Sequence, residues 1–485
     1  MDVHERLSKI VGAENSFDAP DVLGEYSKDY SLLPPGMPDY VVKPKDAQEV
    51  REIIEFANEH KIPVVPSSSK IHFHGATIPK QGGIVLDLTQ MNHILEIDED
   101  NRRVRIEAGV TWEKLVSALE KKGFRIIMPL LPPAERSVVT DYLEREVPTN
   151  TVYDYGEPLQ SMEVVWPTGE IFRLGSASVN GYPDSISKGA NPSGPGIDFY
   201  RFLQGAQGTI GVVTWANLKI ESIPKMDKIL FAPIHDLVSA IEFLYRILPR
   251  RIGQECLLLN NVALASIVAE DLPEDFERLR AKLPPWTLIL VISGLLRRPE
   301  EKIAYEETFL NEALKNEFPK IHFNESLPGF AGLRRTLLSI IRRPWPAKGP
   351  YWKSRYKGAC QSLFFITKPV LIPKFINVVE QIAARHGYPL GDIGGYLQPI
   401  EHNRACQLDF HFLYDPTNAA EKEKVRDLYH DAARALFDEG ALFTRPYGDL
   451  APMVYERAAG YAMALKRVKK VFDPNNIMNP GNLCF

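Results

Sequence analysis

The stretch PVVPSSSKIHFHGATIPKQGGIVLDL, residues 63–88, decides how this chain folds. A short β-prone run, 63–66, enters a polar loop of small residues, and a second β-prone run, 83–88, leaves it. Small residues between two strands let backbone N–H groups converge on an anion such as a pyrophosphate. Ser67, Ser68, Ser69, Lys70 and His72 are the candidate contacts. Serine can stand where glycine is common if the backbone needs no positive φ. Its hydroxyl adds a donor, and Lys70 adds charge. A plain surface turn is the bland reading of the same residues.

The flanking sequence places this loop in an α+β fold. Residues 46–60 carry apolar side chains at helical spacing and stop before Ile62 and Pro63. Residues 93–97 and 103–107 predict strands, and 112–122 predict an amphipathic helix ending at Gly123. MEVVWPTGEIFRLG is a hairpin signal with Pro167, Thr168 and Gly169 at its turn. FLQGAQGTIGVVTWANLKI puts a small-residue turn before a long β-branched strand. The order of elements suggests local strand pairing rather than a βαβ repeat. A further block alternates helices such as 237–248 with strands such as 288–293 and 407–414. The tail KRVKKVFDPNNIMNPGNLCF predicts a helix ended by Asp473 and Pro474.

Composition bounds the function. A chain of 485 residues predicts two domains. Hydrophobic content of 45% and charged content of 25% are those of a globular protein. A net charge of −5 argues against a nucleic-acid partner. No apolar run is long enough for a membrane span, and the N-terminal residues lack the apolar core of a secretory signal. The four cysteines are widely spaced, which points to a cytoplasmic setting without an iron–sulfur or zinc site. The basic cluster RRTLLSIIRRPWPAKGPYWKSRYK, 334–357, is either a solvated face or a docking site for an anion.

Four separated pieces carry a resemblance: PSSSKIHFHG with IVLDLTQMNHILEI, EAGVTWEKL, GAQGTIGVVT, and the terminal FDPNNIMNPGNL. Together they resemble the vanillyl-alcohol oxidase / p-cresol methylhydroxylase superfamily of FAD enzymes. The resemblance implies a two-part PCMH-type FAD-binding domain, 1–225 completed by 451–485. It also implies an α+β cap domain on an antiparallel sheet, 226–450. TVYDYGEPLQSMEVVWPTGEIFRLG, RLRAKLPPWTLILVISGLLRRPEE and YKGACQSLFFITK are similar to segments of the 4-phenol-oxidising branch. The 2-hydroxy-acid branch usually carries HxGDGNxH and TGEHG. Here RACQLDFH keeps only His411, and LFTRPYG places Arg445 where a Glu would sit, so no metal site is expected.

The resemblance also assigns roles. Gly208, Ile210, Gly211 and Val212 fall on the strand beside the adenosine end of FAD. In PPAERSVVTD, Ser137 and Asp141 are the cofactor candidates, while Ala134, Glu135 and Arg136 replace glycines. Asn482 stands where the phenol-oxidising branch often has lysine. The region 404–406 offers no His or Tyr for a covalent flavin bond, so non-covalent FAD is expected, with His72 and His74 as the alternative attachment points.

Asp154 matches the family's active-site aspartate, a base or a stabiliser of cationic intermediates. A turn residue is its bland reading. Arg445 and Tyr447 lie near the family's Tyr-Arg phenolate pair, with Thr444 where Tyr is expected. Arg404 and His411 alternate with Asp409 on a predicted strand; 409 and 411 line the pocket if they face inward and are ordinary surface polar residues if they face outward.

The expected activity is FAD-dependent oxidation of an alcohol or of a 4-hydroxybenzylic carbon, with hydride leaving to flavin N5. The alternatives are a hydroxy-acid dehydrogenase without the usual metal, or a catalytically degenerate subunit of a flavoprotein complex. The resemblance further implies a small-molecule substrate, O2 or an electron-transfer protein as acceptor, and a homodimer or a subunit of a complex.

Overall fold

The protein, seen in a computed structural model, is described over residues 2–151, 158–179, 191–326 and 333–485. Helix Ala47–His60 starts at Asp46, whose carboxylate accepts from the Glu49 N–H at 2.9 Å. Val50, Ile53, Ile54 and Ala57 form its buried stripe. Lys61 closes it in the left-handed region, φ 56°, and turns the chain into strand Val64–Ser67. That strand pairs in parallel with Ile84–Asp87, which pairs in parallel with Tyr40–Val42. The two strands of the opening stretch are therefore parallel neighbours, a departure from the expected local pairing. Parallel pairing needs a long connection, and the loop that supplies it is the one at issue.

Local pairing does occur in the second sheet, where Ile94–Asp98 pairs with Arg103–Glu107 and Leu159–Val165 with Ile171–Arg173, both antiparallel. Strand Val212–Lys219 inserts between these two pairs. Trp112, Leu115 and Leu119 of helix Trp112–Glu120 pack on this sheet with Tyr142. The third sheet is six-stranded and antiparallel, built from Met226–Ile234, Trp286–Gly294, Glu255–Asn260, Ile393–Ile400, Ala405–Tyr414 and Ala359–Thr367 in spatial order. Helices Leu237–Ile247, Ile372–Arg385 and Ala419–Asp438 cover one face with a large apolar core. Mixed helices and antiparallel sheets make the fold α+β.

The tail returns to the first sheet. Helix Ala459–Phe472 ends at Asp473, which is 1% exposed and accepts from Lys469 Nζ at 2.5 Å. Asp473 also takes the N–H groups of Ile477 (2.9 Å) and Met478 (2.8 Å), which fixes the turn after Pro474. Val64 N–H then donates to Ile477 O (2.7 Å), and Asn479 N–H to Val64 O (2.9 Å). The tail thus lies along the strand that feeds the 68–75 loop.

Three cations of the basic cluster are neither solvated nor free. Arg342 pairs with Asp227 at 2.7 Å and Glu255 at 2.9 Å, Lys353 with Asp409 at 2.7 Å, and Lys357 with Asp392 at 2.8 Å. These three cations bind the third sheet to the segments around it.

Candidate active site

The 68–75 loop is shaped by its own side chains. Ser67 Oγ donates to Ser69 O at 2.9 Å, and His72 Nε2 lies 2.6 Å from the same carbonyl. His72 is buried, and burial together with the Arg136 charge pushes its pKa down to about 3. The ring is therefore neutral, and Nε2 is its donor. Ser68 Oγ touches Thr140 Oγ1 across a narrow cavity. Lys70 points the other way, to Glu25 at 3.0 Å on the exposed surface. The expected charge is thus not supplied by Lys70.

The opposite wall of that cavity is the turn Gln207–Gly208 and the residues Gly211 and Val212. Gly208 has φ +71°, and a Cβ there would lie 2.7 Å from Pro66 Cγ. Only glycine meets both conditions without movement. A Cβ at Gly211 would likewise lie 2.8 Å from Val164 Cγ2, and Ile210 is buried. Asn479 Nδ2 joins the two walls by donating to Ala76 O and Gln207 O, each at 2.7 Å. Asn482 is buried but donates within the tail, to Asn479 Oδ1 at 2.8 Å, so it faces the clasp.

Ser137 caps helix Val138–Leu143, and its hydroxyl donates to Ala108 O at 2.6 Å. Asp141 accepts from Trp112 Nε1 at 2.7 Å and from Arg136 Nε. Both side chains are engaged within the protein. Arg136 was not foreseen as a site residue. Its guanidinium donates to Ile71 O at 2.9 Å, pairs with Glu144 at 2.5 Å, and lies 5.4 Å above the Phe73 ring. It ties the second loop to the first. The only sequence signal was its position among lost glycines.

A larger cavity of about 350 Å³ opens between these loops and the third sheet. Phe73, Tyr351, Trp352 and Tyr396 line it, with Pro129, Pro132, Pro133, Pro346 and Pro350. Phe73 and Tyr351 stack at 5.2 Å. The 132–134 segment is held against Trp345 by two backbone bonds, 2.7 and 2.8 Å. On strand Ala405–Tyr414, Gln407, Asp409 and His411 alternate on one face, while Cys406, Leu408, Phe410 and Phe412 enter the core. Gln407 and Asp409 face the cavity. Arg404 does not: it lies in the turn before the strand, its side chain 80% exposed, 3.6 Å from Glu401. The strand begins one residue later than its placement there requires.

Arg445 and Tyr447 are both buried and meet residues from the first loops. Arg445 Nη1 lies 2.7 Å from Glu146 Oε1, and Nη2 donates to Gln407 Oε1 at 3.0 Å. Its guanidinium sits 4.0 Å from the centroid of Phe364. Burial works to raise the Glu146 pKa, but Arg445, His74 and Arg136 outweigh it and hold the carboxyl well below its usual range. Tyr447 stacks on His74 at 4.7 Å, and its hydroxyl is buried without a partner. Glu146 had no local sequence signal. Asp154 lies outside the described residues.

Three buried polar atoms on the loop and turn lack any protein partner: Ser69 Oγ, His72 Nδ1 and Gln207 Oε1. Buried donors and acceptors are rarely left so without a ligand. With the close backbone approach at Gly208, this set fits a polar cofactor laid between the two walls. Among the described residues, no group of three acidic, His or Cys side chains is placed to hold a metal. No helix among them is long and apolar enough to cross a membrane.

The cleft between the 68–75 loop and the Gln207–Gly208 turn and the aromatic cavity together make up the candidate site. Residues 38–175 match the FAD binding domain family, and 370–483 match the C-terminal domain of FAD linked oxidases. The chain thus carries both the FAD binding domain and the C-terminal domain of FAD linked oxidases, and FAD is its cofactor. It is 25% identical to glycolate oxidase subunit GlcD of Bacillus subtilis, over 99% of this chain and 96% of that one. It is 24% identical to D-2-hydroxyglutarate dehydrogenase of Stutzerimonas stutzeri, over 99% and 98%. Among solved structures, 4-ethylphenol oxidase from Gulosibacter chungangensis superposes with a TM-score of 0.83 at 20% identity, covering 98% of this chain and 95% of that one. p-Cresol methylhydroxylase gives 0.82 at 18% identity, covering 99% and 96%.

Proposed function

We propose that this FAD-linked oxidoreductase oxidises an uncharged aromatic alcohol or 4-alkylphenol at the carbon next to the ring. The observation that carries this is the pairing of every cation in the cavity wall. In that wall Arg136 is matched by Asp141 and Glu144 and Lys353 by Asp409, and in the neighbouring pocket Arg445 is matched by Glu146. A substrate carboxylate entering this cavity would meet no unmatched cation, and desolvating it would go uncompensated. A neutral ring, in contrast, finds aromatic walls at stacking distances and proline surfaces that exclude water.

FAD supplies the acceptor for the hydride that leaves the substrate carbon. The chain supplies the rest. Ser67, Ser68, Ser69, His72, Gly208, Gly211 and Val212 would hold the cofactor's polar half with backbone and hydroxyl donors. Phe73 and Tyr351 orient the substrate ring. Tyr447 and Arg445 line a smaller neighbouring pocket that shares His74 with this cavity, and there they would bind polar substituents. Asp154 is the candidate carboxylate for proton handling.

A 2-hydroxy acid is the competing substrate, suggested by the names of the full-length relatives. Anaerobic addition of 4-hydroxybenzyl alcohol or of D-lactate to the flavin-loaded protein separates the two. Bleaching of the visible flavin band by the first, and not the second, is the expected result. Bleaching by D-lactate alone would overturn the proposal.

A further inference from the structure

At one end of the aromatic cavity, three side chains make a buried charge group. Asp409 Oδ2 lies 2.7 Å from Lys353 Nζ and 3.0 Å from His411 Nε2. Asp409 is 3% exposed and His411 1%. Lys353 also reaches Ser362 Oγ at 3.3 Å and lies over the Trp352 ring at 5.5 Å. Gly394 makes room for His411, since a Cβ there would sit 2.9 Å from its Nδ1. The group is thus built into the sheet.

One atom of it is unused. Asp409 Oδ1 is buried and accepts from nothing, although its residue lines the cavity. A buried carboxylate oxygen without a donor is strongly disfavoured unless a ligand provides one. Burial and the Lys353 charge push the His411 pKa down, and the charges of Lys353 and Asp409 offset each other. An ammonium donor would therefore be opposed by Lys353, and a carboxylate would be repelled by Asp409. An uncharged hydroxyl satisfies Oδ1 without either penalty.

Building on the proposed substrate class, we infer that Asp409 is the specificity-determining contact of this enzyme, accepting at Oδ1 a hydrogen bond from the neutral hydroxyl of the substrate. Lys353 and His411 are positioning residues that hold the carboxylate ionised and fix its rotation. Trp352, buried and edge-on to His411 at 5.2 Å, closes this end against water.

The test compares 4-hydroxybenzyl alcohol with 4-methoxybenzyl alcohol, which carries a methyl group in place of the phenolic proton. Binding to the flavin-loaded protein is read from the perturbation of flavin absorbance. The wild type binds the hydroxyl compound at least about 10-fold more tightly than the ether, and Asp409→Asn removes most of that preference. Equal binding of the two by the wild type, a result that needs no variant, overturns the inference. So does an Asp409→Asn protein that keeps the full preference. If neither compound perturbs the flavin while D-lactate does, the substrate class itself fails and this inference falls with it. If both perturb it equally, the inference fails alone.

Discussion

Arg445 and Glu146 form a 2.7 Å ion pair that joins segment 444–447, between helices Ala419–Asp438 and Leu450–Arg457, to the loop after helix Val138–Leu143. The pair neutralises a guanidinium that a carboxylate substrate would seek. In Glu146→Gln, Arg445 keeps Gln407 but loses its counter-ion. The variant should bind 4-hydroxybenzoate about 10-fold more tightly than the wild type, as a charge-assisted bond forms. Titration of the flavin spectrum measures this. Because the Glu146 pKa is depressed, the pair persists as pH falls through the ordinary carboxylate range. Wild-type affinity for the acid should therefore not rise between about pH 7 and pH 5.

His72 makes the fold acid-sensitive. Its pKa is about 3 in the folded chain, against 6.5 in the unfolded one. The unfolded state then binds more protons between these values, so stability falls as pH drops below 6.5. The expected slope is up to about 1.4 kcal/mol per pH unit, and above that range His72 contributes none. His72→Gln retains a donor for Ser69 O and should show a shallower acid limb. Thermal midpoints of both proteins across the acid range test this. Parallel limbs would show that His72 is not the sensitive group.

The fold was legible where periodicity was strong. Residues 46–60 and 112–122 gave helices because each has one apolar stripe. The parallel pairing of Val64–Ser67 with Ile84–Asp87 was not legible, since a strand's sequence carries no sign of its partner's direction. The site divided in the same way. The 68–75 loop was found from its small residues, and alternation along 407–411 correctly raised the question of which way Asp409 and His411 face. Arg404 was drawn into the same set because the strand's start is a matter of one residue. Glu146 and Lys353 escaped notice because their partners lie far away along the chain, and Arg136 was seen only as a lost glycine because its bond to Ile71 O joins two separate loops. For Arg445 and Glu146 that separation is about 300 residues.

Asp154 aligns with a proton-handling carboxylate by resemblance. If it serves there, Asp154→Asn should slow flavin reduction by 4-hydroxybenzyl alcohol on the order of 10²-fold with FAD content unchanged. Stopped-flow absorbance at saturating substrate gives the rate. Unchanged kinetics would return Asp154 to a turn residue.

The tail is the last element to be tested, and its effect should reach the cofactor. Lys469 Nζ donates to Thr209 O (2.6 Å), Met478 O (2.8 Å) and Asp473, and all four residues are buried. Removing the ammonium leaves a buried carboxylate with only two backbone donors. Lys469→Met should cost about 3 kcal/mol, seen as a lower thermal midpoint. Asn479 is different, because it grips the loop at Ala76 and the turn at Gln207 rather than the helix. Asn479→Ala loses two buried bonds, worth about 1 kcal/mol each, and frees both walls of the cofactor cleft. Its midpoint should fall less than that of Lys469→Met, while its FAD affinity should fall more. A variant pair in which FAD affinity merely follows thermal stability would show that the clasp supports the fold without shaping the cleft.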